Sequence, residues 1–217
     1  MNKNGHLFIT KSVTVELLAK YRFWIKLGSI APDLLFYTYL RGHTWDTTFD
    51  RNSIHMERLW EHGHMNRWSC FKLGYLLHYV EDYFTYPHSK DFPGMLLAHV
   101  IYERDLTAYL QCEKTSFDCI NGMDMHSASI DMLFMYLQVL HDDYLRQKKG
   151  LETDTKYIMK AANAFVQCFI GAFERKEQEK QKLPQPVMIP QLQTIEGMIG
   201  VVGSQIEQAA NYMYVNR

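Results

Sequence analysis

Within residues 75–103, YLLHYVEDYFTYPHSKDFPGMLLAHVIYE, lie His78, Asp82, His88, His99 and Glu103. Imidazole and carboxylate together are what a borderline divalent cation such as zinc binds. His78 and Asp82 are four residues apart, as are His99 and Glu103. On a helix that spacing puts both side chains on one face, with roughly 5–6 Å between Cβ atoms. His88 follows just past a Tyr86-Pro87 helix stop. The chemistry implied is a multi-metal hydrolase site: a bound metal pair lowers the pKa of a shared water and clamps the attacking oxygen. Three earlier residues, His6, Asp33 and His55, are the candidates for the remaining ligands.

The elements that must position these side chains read as helices throughout. A first helix is expected over 12–26, with Ser12 as N-cap and Val13, Leu17, Tyr21 and Trp24 at helical spacing. Gly28-Ser29-Ile30-Ala31-Pro32-Asp33 reads as a turn, and Asp33 as the start of a short helix, Leu34 to Leu40. A third helix over 52–65 carries His55. A fourth over 66–86 has the apolar stripe Leu73, Leu76, Leu77, Val80 and Phe84, with His78 and Asp82 at its margin; Glu81, about 100° around, is expected to be solvated. Asp91 reads as the N-cap of a fifth helix reaching Glu113, whose stripe of Leu96, Leu97, Val100, Ile101 and Leu110 is expected to face the core. Further helices are expected over 127–149, 154–182 and, after Pro184, Pro186 and Pro190, over 191–214. No alternating strand pattern survives the helical alternative. The fold class is all-α, a single multi-helix domain over 1–217.

Composition narrows the function. The 217 residues are 47% hydrophobic, enough for one domain with a real core. A net charge of −1 carries no basic excess of the kind that marks nucleic-acid binding. Cys70, Cys112, Cys119 and Cys168 form no CxxC pair, so they read as reduced thiols. No apolar run approaches the roughly 20 residues of a bilayer span. No signal-peptide pattern is seen, so the expected location is the cytoplasm. His62, His64 and the His141-Asp142 dipeptide read as structural or surface groups. Most of the aromatics near the ligands, Trp45 and Tyr83 among them, read as core packing.

Taken in order, the motifs are an early His6; a Gly-x-x-x-Pro-Asp segment, GSIAPD; a lone His55; LGYLLHYVEDYFTYPH, holding His78, Asp82, Pro87 and His88; and HVIYE, holding His99 and Glu103. Together they resemble the zinc-dependent phospholipase C family, and more distantly the fungal zinc-dependent single-strand nucleases that share its all-helical fold. The LG-through-PH block is the specific part. The resemblance implies about two to three zinc ions, the range the ligand count allows. Asp33, His55, His78 and Asp82 would hold the first. His6 and Asp82 would hold another, with Asp82 bridging. His88, His99 and Glu103 would hold the third. Asp33 would orient the nucleophile or act as general base. The implied substrate is a phosphodiester or phospholipid-like molecule. The alternatives are a non-catalytic zinc-binding helical protein and a single-strand nuclease, the latter disfavoured by the missing basic excess. The family's mature enzymes use an N-terminal tryptophan as a chelating ligand. Here the early residues are Met1-Asn2-Lys3-Asn4-Gly5, which leaves the His6 site to bind metal weakly, to borrow the free α-amine or a backbone carbonyl, or to stay empty.

Overall fold

A computed structural model describes residues 1–34, 43–112 and 123–182. The fold is all-α. Among the described residues there are seven α-helices and one 3₁₀ turn, with no strand. The helices are α1 (Lys3–Val13), α2 (Ala19–Leu34), α3 (Trp45–His62), α4 (Arg67–Asp82), α5 (Leu96–Cys112), α6 (Ile130–Arg146) and α7 (Leu151–Lys182), with the 3₁₀ turn at Tyr86–His88 between α4 and α5. Met1–Glu179 form one compact unit. The expected helices over 34–40 and 191–214 lie outside the described residues, as does the proline connector. Among the described residues no helix is long and apolar enough to cross a membrane.

Local signals set several helix starts. The Asn2 side chain accepts from Gly5 N at 3.1 Å and opens α1. Asn66 accepts from Trp68 N and Ser69 N, both at 2.9 Å, and opens α4. Ser129 accepts from Met132 N at the start of α6. In each case a side-chain oxygen satisfies an otherwise orphaned helix N–H.

The first expected helix is corrected: Ser12 lies in the last turn of α1, and a second helix starts at Ala19. The expected turn at 28–33 is corrected too, since α2 runs through it to Leu34. Tertiary packing overrides the breakers. A Cβ on Gly28 would sit 2.0 Å from Phe71 O, and one on Gly74 would sit 1.9 Å from Ile25 O. The two glycines let the backbones of α2 and α4 touch. Pro32, near the helix end, removes a single donor. Gly28→Ala is therefore expected to destabilise the protein by about 3 kcal/mol, outweighing the usual helix gain of alanine over glycine; urea denaturation measures this.

The core lies around α4 and α7. Every residue of α4 from Leu76 to Asp82 is buried. The aromatic run Phe165, Phe169 and Phe173 of α7 is also fully buried. A helix enclosed on all sides brings its polar residues into the interior, where each needs a partner. Trp45 and Tyr83 pack as expected: Trp45 stacks on Phe49 and His141, and Tyr83 OH is held by Thr48 and Asn52.

Candidate metal centre

Asp82, at the C-terminal end of α4, is the hub. Its carboxylate is 1% exposed. Oδ1 lies 2.7 Å from the Met1 α-amine and 3.5 Å from His6 Nε2. Oδ2 lies 3.1 Å from His43 Nδ1, 3.3 Å from His78 Nε2 and 3.4 Å from His88 Nδ1. His78 Nε2 is also 3.4 Å from His43 Nδ1 and 3.8 Å from Asp33 Oδ1. Outward from His88, Glu103 Oε1 lies 3.4 Å from His88 Nε2 and 2.8 Å from His99 Nε2. Two donors of one tetrahedral zinc lie about 3.4 Å apart, given Zn–N bonds of about 2.0–2.1 Å. Most of these separations match that edge rather than a hydrogen bond.

Among the described residues four overlapping groups follow, each with ligand atoms within 4.8 Å of one another: His6, His78 and Asp82; Asp33, His43 and His78; His43, Asp82 and His88; His88, His99 and Glu103. The donors fit a metal on a second ground. Among the described residues, His6 Nε2, His43 Nε2 and His88 Nδ1 are buried without a hydrogen-bond partner. His6 Nε2 and His88 Nδ1 lie 3.5 and 3.4 Å from the buried Asp82 carboxylate, and orphaned nitrogens so placed point to an ion.

Seven of the eight expected residues are brought together. His55 is not. It is exposed on α3, about 15 Å of helix beyond Trp45. His43 stands in the place expected for it. The reason is the direction of α3: Thr48 and Asn52 in its first half bond Tyr83 OH, next to Asp82, at 3.1 and 2.8 Å. The start of α3 therefore faces the cluster and its later turns point away. The signal available in the sequence was the Thr44-x-x-Thr47-Thr48 run, which marks a helix start directly after His43. His88 also departs from the expected division. It faces Asp82 as well as Glu103, so its ring joins two groups.

Surrounding contacts hold the imidazoles. His78 Nδ1 donates to Ser29 O at 2.9 Å, which leaves Nε2 free to face the cluster. The α2–α4 contact at Gly28 and Gly74 sets that approach. His6 Nδ1 pairs with Glu81 Oε2. Glu81, expected to be solvated, is fully buried. It orients His6 as a carboxylate orients a metal-binding histidine, a role that its place beside Asp82 gave no reason to expect. The 3₁₀ turn carrying His88 is anchored where Asp154 Oδ2 accepts from Tyr86 N at 2.8 Å.

Burial is the main electrostatic force here. It lowers His6 far below an ordinary imidazole, aided by His78 and opposed by Asp82. It lowers His78 to about 3 despite Asp82, and lowers His88 as well. Burial alone would raise Asp82, but His88, the Met1 amine, His78 and His6 hold it well below the carboxylate range. Burial would likewise raise Glu103, which the Met1 amine, His88 and His99 hold low. The Met1 amine, lowered by burial but raised more by Asp82 and Glu103, reaches about 11; it lies 3.0 Å from Glu103 Oε1. Burial, then Asp82, pushes Asp33 up to about 6.

Neutral imidazoles are the form that binds metal. In metal-free protein the His78 ring is expected not to titrate between pH 8 and about 5, as ring NMR shifts would show. For His78 the stabilising contribution is complete above the unfolded value of 6.5 and is lost as pH falls toward about 3. Glu81, which burial raises well above 4.5, works in the opposite sense.

The cluster opens outward through a cavity of about 370 Å³ lined by Asp33, His43, His88, His99, Glu103 and apolar neighbours including Leu96 and Val100. Those apolar residues belong to the stripe expected to face the core. Leu96, Leu97, Val100 and Ile101 are instead 64%, 71%, 53% and 42% exposed, and of that stripe Leu110 alone is buried. α5 turns its His99–Glu103 face to the cluster and its Leu106–Leu110 end to the core, leaving its first turns uncovered.

The sequence model of the zinc dependent phospholipase C family matches residues 5–151, which contain every residue of the cluster except Met1. No curated protein and no solved structure matches the chain. The span of that match shows that this chain belongs to the zinc-dependent phospholipase C family.

Proposed function

We propose that the protein is a zinc-dependent phosphodiester hydrolase acting on a phospholipid-like substrate. The supporting observation is the chain of overlapping donor groups that runs from buried His6 through Asp82 to Glu103 and opens at Asp33. The ligands are His6, Asp33, His43, His78, Asp82, His88, His99 and Glu103, with room for about two to three ions by ligand count. Bound zinc would supply Lewis acidity and a water of lowered pKa.

The chain's own residues do the rest. Asp82 gathers the imidazoles and balances charge at the centre. Glu81 and Ser29 O orient His6 and His78. Asp33, its carboxylate 22% exposed at the mouth of the cavity, takes the proton of the attacking water. Glu103 and His99 border the cavity on its outer side. Leu96 and Val100 line the cavity, and Leu97 and Ile101 on the same helix are exposed as well, an apolar surface suited to acyl chains. The bond broken would be the one between phosphorus and the glycerol oxygen, releasing diacylglycerol and a phosphorylated headgroup.

Asp33→Asn decides the matter. The variant is expected to lose about 10²–10⁴ in kcat, the usual range for a general base, while keeping most of its zinc. Turnover of a phosphatidylcholine substrate and metal content measured on the same sample are the readouts. A fully active variant would remove Asp33 from the chemistry. A wild-type protein that holds zinc, melts lower with chelator and turns over no phosphodiester would make the metal structural.

A further inference from the structure

A second cavity, of about 820 Å³, lies between the later turns of α3 and the first turns of α4. His55, Arg58 and His62 of α3 face Trp68, Lys72 and Tyr75 of α4 across it. The spacings, 55-58-62 and 68-72-75, each mark one helix face. Four of these six side chains are basic, and among the described residues no carboxylate lines the cavity. Among the described residues, neither Arg58 nor Lys72 has a carboxylate within 4.0 Å, whereas His62 has Glu61 at 3.6 Å. The Lys72 ammonium sits 5.4 Å from the Trp68 ring centre, and that indole is 62% exposed. His55 senses the accumulated charge: burial, then Arg58, Arg51 and Lys72 lower its affinity for a proton.

Uncompensated cations grouped at a concave surface raise the local concentration of anions. Guanidinium and ammonium beside an aromatic platform suit phosphate oxygens attached to an organic body. The cavity is separate from the metal cluster. Lys72 and Asp82 are about 15 Å apart along α4.

We propose that the α3–α4 cavity binds a phosphate-bearing anion through Arg58 and Lys72, with Trp68 against its organic part. The ligand is a free phosphorylated molecule or the headgroup of an anionic lipid, which share this chemistry. The proposal stands apart from the catalytic reading, since none of its residues belongs to the metal cluster.

The test compares zinc-loaded wild type with the Arg58→Gln/Lys72→Gln double variant. Both side chains are exposed, and the variant is expected to keep its zinc and turnover, which also verifies its fold. In one arm, inorganic pyrophosphate is titrated by calorimetry. In the other, binding is measured to phosphatidylcholine vesicles with and without phosphatidic acid. Loss of each charge-assisted contact should weaken binding on the order of tenfold. A loss confined to pyrophosphate identifies a free phosphorylated ligand. A loss confined to vesicles containing phosphatidic acid identifies a lipid headgroup. Equal binding by the two proteins in both arms overturns the proposal, because any anion bound then sits elsewhere, at the metal centre included.

Discussion

Asp82→Asn is expected to lose at least one equivalent of zinc and nearly all phosphodiesterase activity. Asp82 is the carboxylate that four imidazoles and the Met1 amine face at 2.7–3.5 Å. An amide of the same shape keeps one weak acceptor and removes the negative charge. Removing even an outer-shell partner costs about 10–100-fold in metal affinity, so a loss at the hub should exceed that. The metal-free variant should also lose about 3 kcal/mol of stability, because the buried ammonium of Met1 is left with Glu103 alone. Zinc analysis, turnover and urea denaturation read the three effects separately. A variant with full zinc and full activity would overturn the assignment.

The second large effect is expected at a residue that touches no ligand. Asp154, on α7, is fully buried and accepts three hydrogen bonds: from Tyr86 N at 2.8 Å, Tyr102 OH at 2.9 Å and Tyr144 OH at 2.9 Å. It thereby ties the turn bearing His88, the helix bearing Glu103 and α6 to the core. Asp154→Ala would strand three donors at once, at about 1–3 kcal/mol each, so a total loss of about 3–9 kcal/mol is expected. The same change should weaken zinc binding about 10–100-fold, because His88 and Glu103 lose their anchor. Asp154→Asn should recover most of both, since the amide oxygen still accepts from Tyr86 and Tyr102 and its N–H₂ can donate to Tyr144. Melting temperature and zinc affinity, measured across the two variants, distinguish loss of this anchor from simple loss of charge.

What sequence alone determined is tied to short-range spacing. A helix holds residues i and i+4 on one face wherever it lies, so His78 with Asp82 and His99 with Glu103 were legible as pairs. The proline after Tyr86 placed His88 beyond a helix end, and helical periodicity across the chain determined the all-α class. The family followed from the register of the LG-through-PH block.

Tertiary structure decided the rest, because it depends on which helix faces lie against which. Gly28 and Pro32 look like breakers in isolation; against α4, Gly28 is where two backbones touch, and the helix continues to Leu34. Leu96, Leu97, Val100 and Ile101 form a core stripe by pattern, yet α5 spends its buried faces on His99, Glu103 and the Leu106–Leu110 end, so Leu96 and Val100 line the cavity instead and Leu97 and Ile101 are exposed. Glu81 could be recognised as the partner of His6 only once α1 lay against α4. The Thr44 run marks a helix start directly after His43, but the direction of that helix, which separates His43 from His55, is set by tertiary contacts. The bonds from Thr48 and Asn52 to Tyr83 point the start of α3 at Asp82, which brings His43 into the cluster and leaves His55 facing the basic cavity.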